Sequence, residues 1–280
     1  MNPMFDMPLS DAHAHLSTDD ALTELVQRRE RNVLTCFSTG TPTEWERVNG
    51  LLASIDTGES APFLMSFGIH PWESERYEAS ACEQAYTQCA AIGEIGLDTV
   101  WCDVPLARQT TVFERQLQLA TDMHKPIVLH TKGAETLVAD MVRGFPEPVL
   151  VHWYSGPLDA FERFADQDCY FTLGPDCSNG SELNRTLLTA LPLKRTLIET
   201  DGIEGVTWAI DENPRIAQSI ARFYDQNASL IEAALTTSIH TLAEARNIAP
   251  QSIATQLQQN MQRFYTNGRT ERTTATISAL

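Results

Sequence analysis

Ala91-Ile92-Gly93-Glu94-Ile95-Gly96-Leu97-Asp98 is a run of apolar and small residues with one carboxylate inside it. Its length and its isoleucines suit a buried strand. An ionised Glu in such a run costs several kcal/mol, on the order of the effective penalty for a buried ion, unless a cation pairs with it. The run holds no Lys or Arg. A metal ion would serve. The structural alternative is a Glu at a strand end, hydrogen-bonded to backbone. Gly93 and Gly96 flank Glu94 and leave room for a ligand or a neighbouring backbone to come close.

Short apolar runs like this one recur along the chain, separated by longer segments with helical spacing. The strands expected are Pro8–Ala12, Asn32–Ser38, Phe63–Ile69, Ala91–Leu97, Pro126–Leu129, Pro148–Val151, Cys169–Leu173 and Thr196–Glu199. Between them the spacing predicts helices over Asp19–Arg31, Pro42–Ile55, Glu73–Ala90, Pro105–Met123, Ala134–Val142, Pro157–Ala165 and Ser181–Leu191. After the eighth strand only helical patterns follow, over Asn213–Phe223, Ser229–Arg246 and Ser252–Phe264. Eight β-then-α units with closing helices predict an α/β fold, a TIM-like (β/α)8 barrel with extra C-terminal helices. The expectation is one barrel over residues 1–266 and a loose tail over 267–280, which is rich in Thr and lacks a clear period.

The 280 residues include 37 acidic and 20 basic ones, a net charge of −17. Such a surface repels polyanions as a whole, which argues against broad nucleic-acid binding but not against a local phosphate site made positive by metal ions. The six cysteines form no C-x-x-C pair, so no zinc ribbon is expected. Met1–Leu9 lacks the cationic and apolar segments of a signal peptide, and no run approaches the roughly 18 apolar residues of a membrane span. A cytoplasmic location with reduced thiols and no membrane partner is the expectation.

In a barrel of this kind the reactive side chains sit at the C-terminal ends of the strands. His13 and His15 end the first strand, His70 the third, His130 the fifth and His152 the sixth; Glu94 lies on the fourth and Asp201 follows the eighth. Five of the seven histidines thus share one rim with two acids. His13 and His15 are two apart and point to the same face of a strand. His13, His15, Glu94, His130, His152 and Asp201 together supply the nitrogen and oxygen donors that one or two divalent ions need. Any one of these histidines alone would be read as a satisfied core residue. His70, before Pro71, is read as a contact for substrate phosphate. His124 and His240 fall off the rim and are read as structural or surface residues, and Cys102 as a bystander.

The ordered set Asp11-Ala12-His13-Ala14-His15-Leu16, Gly68-Ile69-His70-Pro71, Gly93-Glu94-Ile95-Gly96-Leu97-Asp98, Pro126-Ile127-Val128-Leu129-His130-Thr131, Val151-His152 with Ser155-Gly156, and Glu199-Thr200-Asp201 resembles the TatD-like metal-dependent hydrolases, a branch of the amidohydrolase-type barrels. The resemblance implies a one- or two-metal site and phosphodiester hydrolysis, with deoxyribonuclease activity in some members. By position, His13, His15 and Asp201 would hold one ion, His130 and His152 the other, and Glu94 would bridge them. Glu94 and Asp201 are then the catalytic acids, with Asp201 taking the proton of a metal-activated water. The ions expected are Zn, Mn or Mg.

The chain also departs from the family pattern. Thr131-Lys132 replaces the usual Ser/Thr-Arg, keeping the charge but losing the planar fork suited to phosphate. Gly202-Ile203-Glu204 replaces a small residue and Pro. Lys132 and His70 are the expected substrate contacts, with Arg108 a further candidate. The expected substrate is a phosphodiester or small ester, with single-stranded DNA the foremost example. Hydrolysis of a lactone, amide or other small ester is the alternative, and a non-catalytic metal-binding scaffold a second.

Overall fold

The computed structural model describes residues 7–55, 62–80, 82–224 and 229–277, with side chains as far as residue 266. Strand and helix alternate in the order β1 (Ser10–Ala14), α1 (Ala21–Glu30), β2 (Leu34–Thr39), α2 (Pro42–Ile55), β3 (Phe63–Phe67), α3 (Glu83–Gln88), β4 (Ala91–Gly96), α4 (Leu106–Met123), β5 (Ile127–His130), α5 (Glu135–Met141), β6 (Val149–Val151), α6 (Leu158–Asp166), β7 (Tyr170–Leu173), α7 (Glu182–Ala190) and β8 (Thr196–Ile198). Four helices close the chain: α8 (Gly202–Glu212), α9 (Pro214–Tyr224), α10 (Leu230–Arg246) and α11 (Pro250–Ile277). The strands form one eight-stranded sheet in chain order, and the pairings described are parallel. This is the TIM-like (β/α)8 fold with extra C-terminal helices, and all eight expected strands are present.

Three segments differ from the sequence expectation. Glu73–Ala90 is not one helix: a single turn at Pro71–Glu73 leads into a loop, and only Glu83–Gln88 is helical. Arg108, a further candidate for phosphate, holds that loop from afar, donating to the carbonyls of Ser74 and Tyr77 and to Glu78. Helix α8 begins directly after Asp201, where no helix was expected. Helix α11 runs to Ile277, through positions expected to form a loose tail; no proline stops it, and Gly268 costs a helix only about 1 kcal/mol. No helix among the described residues is long and apolar enough to cross a membrane.

The structure forms two compact units. One takes in the residues up to Ser38, Arg47–Leu64 and Phe171–Gln259; the other takes in Thr39–Glu46, Met65–Tyr170 and Asn260 onward. The core of the first includes Leu25, Phe37, Ile198, Val206, Leu235, Ile239 and Leu242. Beneath its strands lies a buried ion pair, Arg28 Nη1 to Asp11 Oδ2 at 2.8 Å, with Glu24 Oε1 2.8 Å from Arg28 Nε. The Asp11 carboxylate also accepts from Thr200 N at 2.9 Å and Thr200 Oγ1 at 2.6 Å, tying the end of β8 to β1.

The core of the second unit includes Phe67, Tyr86, Ile92, Ile95, Phe113, Val128 and Phe164. Two glutamines seven residues apart on α4, about two helical turns, face inward and pin strand ends. Gln116 accepts from Ile69 N at 2.6 Å and donates to Ile69 O at 3.0 Å. Gln109 does the same at Asp98, at 2.8 and 2.9 Å. Each buried amide therefore fixes the backbone beside a residue of the candidate site, His70 in one case and Asp98 itself in the other.

Candidate metal centre

In the second unit, β4 and β5 lie unusually close. A Cβ on Gly96, whose φ is +145°, would overlap the carbonyl oxygen of His130, and one on Gly93 would overlap Val128. The glycines thus admit a neighbouring backbone, and this packing brings His130 alongside Glu94. Glu94 is buried. Its Oε1 lies 2.7 Å from His130 Nδ1, 2.8 Å from His152 Nε2 and 3.6 Å from His70 Nε2. The carboxylate thus sits among three imidazoles, with no Lys or Arg nearby in sequence.

The tautomers follow from the partners. His70 Nδ1 accepts from Trp72 N at 3.2 Å, so its proton sits on Nε2, facing the cluster. His130 Nε2 lies 3.0 Å from Asp98 Oδ2. That carboxylate is already crowded with donors: Trp72 Nε1 to Oδ2, and the backbone N–H groups of Val100 and Trp101 to Oδ1, each at 2.8 Å. Burial pushes Asp98 upward, but the hydrogen bonds from His130, Trp101, Trp72 and Val100 outweigh it and hold the carboxyl well below the usual range. An ionised Asp98 takes the Nε2 proton of His130 and leaves Nδ1 to face Glu94. A carboxylate behind a metal-binding histidine, fixing its tautomer, is a common device in metal sites. Burial disfavours the charged His130 ring, yet the hydrogen bonds to Asp98 and Glu94 raise its pKa overall.

In the first unit, His13 lies on β1 and His15 directly follows it. His13 Nε2 is 3.3 Å and His15 Nε2 3.7 Å from Asp201 Oδ1. Asp201 adopts a left-handed backbone, φ 59°, and its N–H donates to His13 O at 3.1 Å. Gly202 follows at φ +83°, where a Cβ would overlap the His15 carbonyl oxygen. Asp201 is therefore locked against the segment that carries both histidines.

These donor sets fit divalent ions. Neighbouring ligands around a tetrahedral ion with bonds of 2.0–2.1 Å are about 3.4 Å apart. The His13–Asp201, His15–Asp201 and His70–Glu94 separations fall near that edge length. His130 and His152 stand closer to Glu94, at hydrogen-bond distance, and His70, Glu94 and His130 form a compact group of possible ligands. Imidazole with carboxylate is the donor chemistry of Zn, Mn and related ions.

The remaining expected residues resolve as follows. Lys132 Nζ lies 3.2 Å from Ser155 Oγ and 4.5 Å over the ring of Trp101. His124 is exposed and pairs with Glu147 at 3.1 Å, while His240 packs on Phe223. Cys102 Sγ meets the carbonyl of Pro71. Sequence reasoning quoted Asp98 within its motif but gave it no role; its signal was a second carboxylate four residues after Glu94. Gln109 and Gln116 carried no signal short of their shared face on one helix.

Comparison with known proteins agrees with this architecture. The chain is 31% identical over 193 residues to the human 3′-5′ RNA nuclease TATDN2, a match that covers 61% of this chain and only 25% of that protein. It is 28% identical over 199 residues to the 3′-5′ ssDNA/RNA exonuclease TatD of Escherichia fergusonii, covering 62% and 75%. It is 26% identical over 217 residues to the metal-dependent hydrolase YjjV of Escherichia coli K12, covering 71% and 83%. The crystal structure of YjjV matches with a TM-score of 0.74 at 24% identity, covering 92% of this chain and 97% of that one. The family model for TatD related DNase matches residues 10–266, and the chain belongs to that family.

Proposed function

We propose that this chain is a metal-dependent phosphodiesterase that acts on single-stranded DNA or RNA from the 3′ end. The observation that carries the reading is the buried Glu94 carboxylate with His130 Nδ1 and His152 Nε2 both within 2.8 Å of one oxygen. Glu94, His130 and His152 would hold one divalent ion, Mn, Mg or Zn, and His13, His15 and Asp201 would hold another. When bound, such ions act as Lewis acids and bring the pKa of a bound water towards 7.

The chain's own groups do the rest. The carboxylate of Asp201 accepts the proton released by the attacking water. His70, with its proton on Nε2, donates a hydrogen bond to a phosphate oxygen. Lys132 contributes a cation without the bidentate fork of an arginine. Asp98 holds His130 in the tautomer that keeps Nδ1 available. The acidic surface does not oppose this chemistry, because the inner charges are offset locally.

The test is degradation of a 3′-end-labelled single-stranded oligonucleotide with added Mg or Mn, with Glu94→Ala as control. Metal-dependent cleavage that falls at least a hundredfold in the variant is expected. Absence of cleavage by the native protein, with metal bound, would overturn the nuclease reading and favour a small ester, lactone or amide as substrate.

A further inference from the structure

Resting on the nuclease reading, we propose that Trp101, together with Trp72, forms a stacking platform for the nucleobases of a single-stranded substrate next to the scissile phosphate.

Of the five tryptophans, Trp45 is buried and Trp208, on α8, is 49% exposed; Trp72 and Trp101 are 50% and 57% exposed. Exposed indoles are unusual on a protein surface, and these two are not loosely placed. Both hang from Asp98: Trp72 through its Nε1, Trp101 through its backbone N–H. The same carboxylate holds His130. One buried anchor thus sets the Trp72 ring and the backbone of Trp101 relative to a proposed metal ligand. Trp72 stands edge-on to His70 with ring centres 4.8 Å apart, and 6.3 Å from the His130 ring. The loop that carries Trp101 is tied to the loop after β5, with Thr99 N donating to Lys132 O at 2.9 Å. Lys132 Nζ then lies 4.5 Å over the Trp101 ring.

An exposed indole with a cation over one face, and an imidazole N–H close by, can stack a base on its other face while the cation meets the phosphate. Charge balance points the same way. A protein at −17 cannot draw a polyanion in by a broad basic groove. Affinity for a nucleic-acid strand beyond the local phosphate site then draws on contacts that do not rely on charge, and stacking is such a contact. It is also tolerant of sequence, since every base has a π-face.

The experiment compares native protein and Trp101→Ala, with Trp101→Phe as the conservative variant. Substrates are an oligothymidylate and the same strand with abasic nucleotides at its 3′ end. Binding is read twice: as KM with Mn, and as tryptophan quenching by the strands on metal-free protein in chelator. Trp101→Ala is expected to raise KM and Kd for the intact strand about tenfold, within the range for losing one base stack. It should narrow the gap between intact and abasic strands, and Trp101→Phe should restore most of it. Salt dependence should be shallow, with a slope near that of about one phosphate contact. Equal affinity of native and Trp101→Ala for the intact strand, with cleavage retained, overturns the platform and leaves the nuclease reading standing. No cleavage of either strand by native protein overturns that reading, and the platform with it.

Discussion

Replacing Asp98 by Asn tests the metal centre without touching a metal ligand. The side chain keeps its shape, and its Oδ1 still faces the N–H groups of Val100 and Trp101. The other oxygen becomes an NH2 group facing two donors, Trp72 Nε1–H and His130 Nε2–H. The indole has no alternative tautomer. The imidazole has one: it moves its proton to Nδ1, so that Nε2 accepts. That proton then occupies the atom 2.7 Å from Glu94 which a cation needs. Loss of such an outer carboxylate typically weakens metal affinity 10–100-fold, about 1.4–2.8 kcal/mol. Titration calorimetry of metal-free protein with Zn or Mn measures it. The urea midpoint is the control, because the side-chain volume is conserved. Binding of Asp98→Asn within twofold of native would refute the tautomer argument and leave Asp98 as a loop anchor only.

Arg28→Met should destabilise the fold by roughly 3–5 kcal/mol in urea denaturation, because it strands the carboxylate of Asp11 in the interior; a loss below about 1 kcal/mol would count against the buried pair. His240 packs against Phe223 and its Nε2 has no hydrogen-bond partner among the described residues; burial holds its pKa below the ordinary 6.5. The unfolded chain therefore takes up the proton first as pH falls through 6.5, so stability declines from there until the lower native pKa is passed. His240→Phe should lose that part of the decline in urea titrations between about pH 7.5 and 5, either side of the ordinary histidine pKa of about 6.5, and an unchanged slope would show that the ring ionises equally in both states.

The strands were legible because a buried parallel sheet writes short apolar runs, and the proposed ligands were legible as the residues that end those runs. The loop from Ser74 to Glu78 was not. Its carbonyls are satisfied by Arg108, some thirty residues on, and no local window contains that partner. Helix α8 was hidden by its glycines. A Cβ on Gly205 would press on Asp201 and on the Thr200 carbonyl, so packing and not helix propensity chose the residue. The chemistry of Asp98 was out of reach for a related reason. Its value lies in which donors surround it, and those come from three separate segments.

The bond from Thr200 to Asp11 spans 189 residues. In synthesis, His13 and His15 emerge early and Asp201 only after nearly two hundred more residues, a delay of roughly 10–40 s at ordinary elongation rates. Until then Asp11 has Arg28 but not Thr200, and the paired histidines face no carboxylate from β8's end. A chain cut short before Thr200 has the first ligands without the group that locks against them. The proposed ligand set at this end of the molecule is thus complete only once the chain has grown past Asp201.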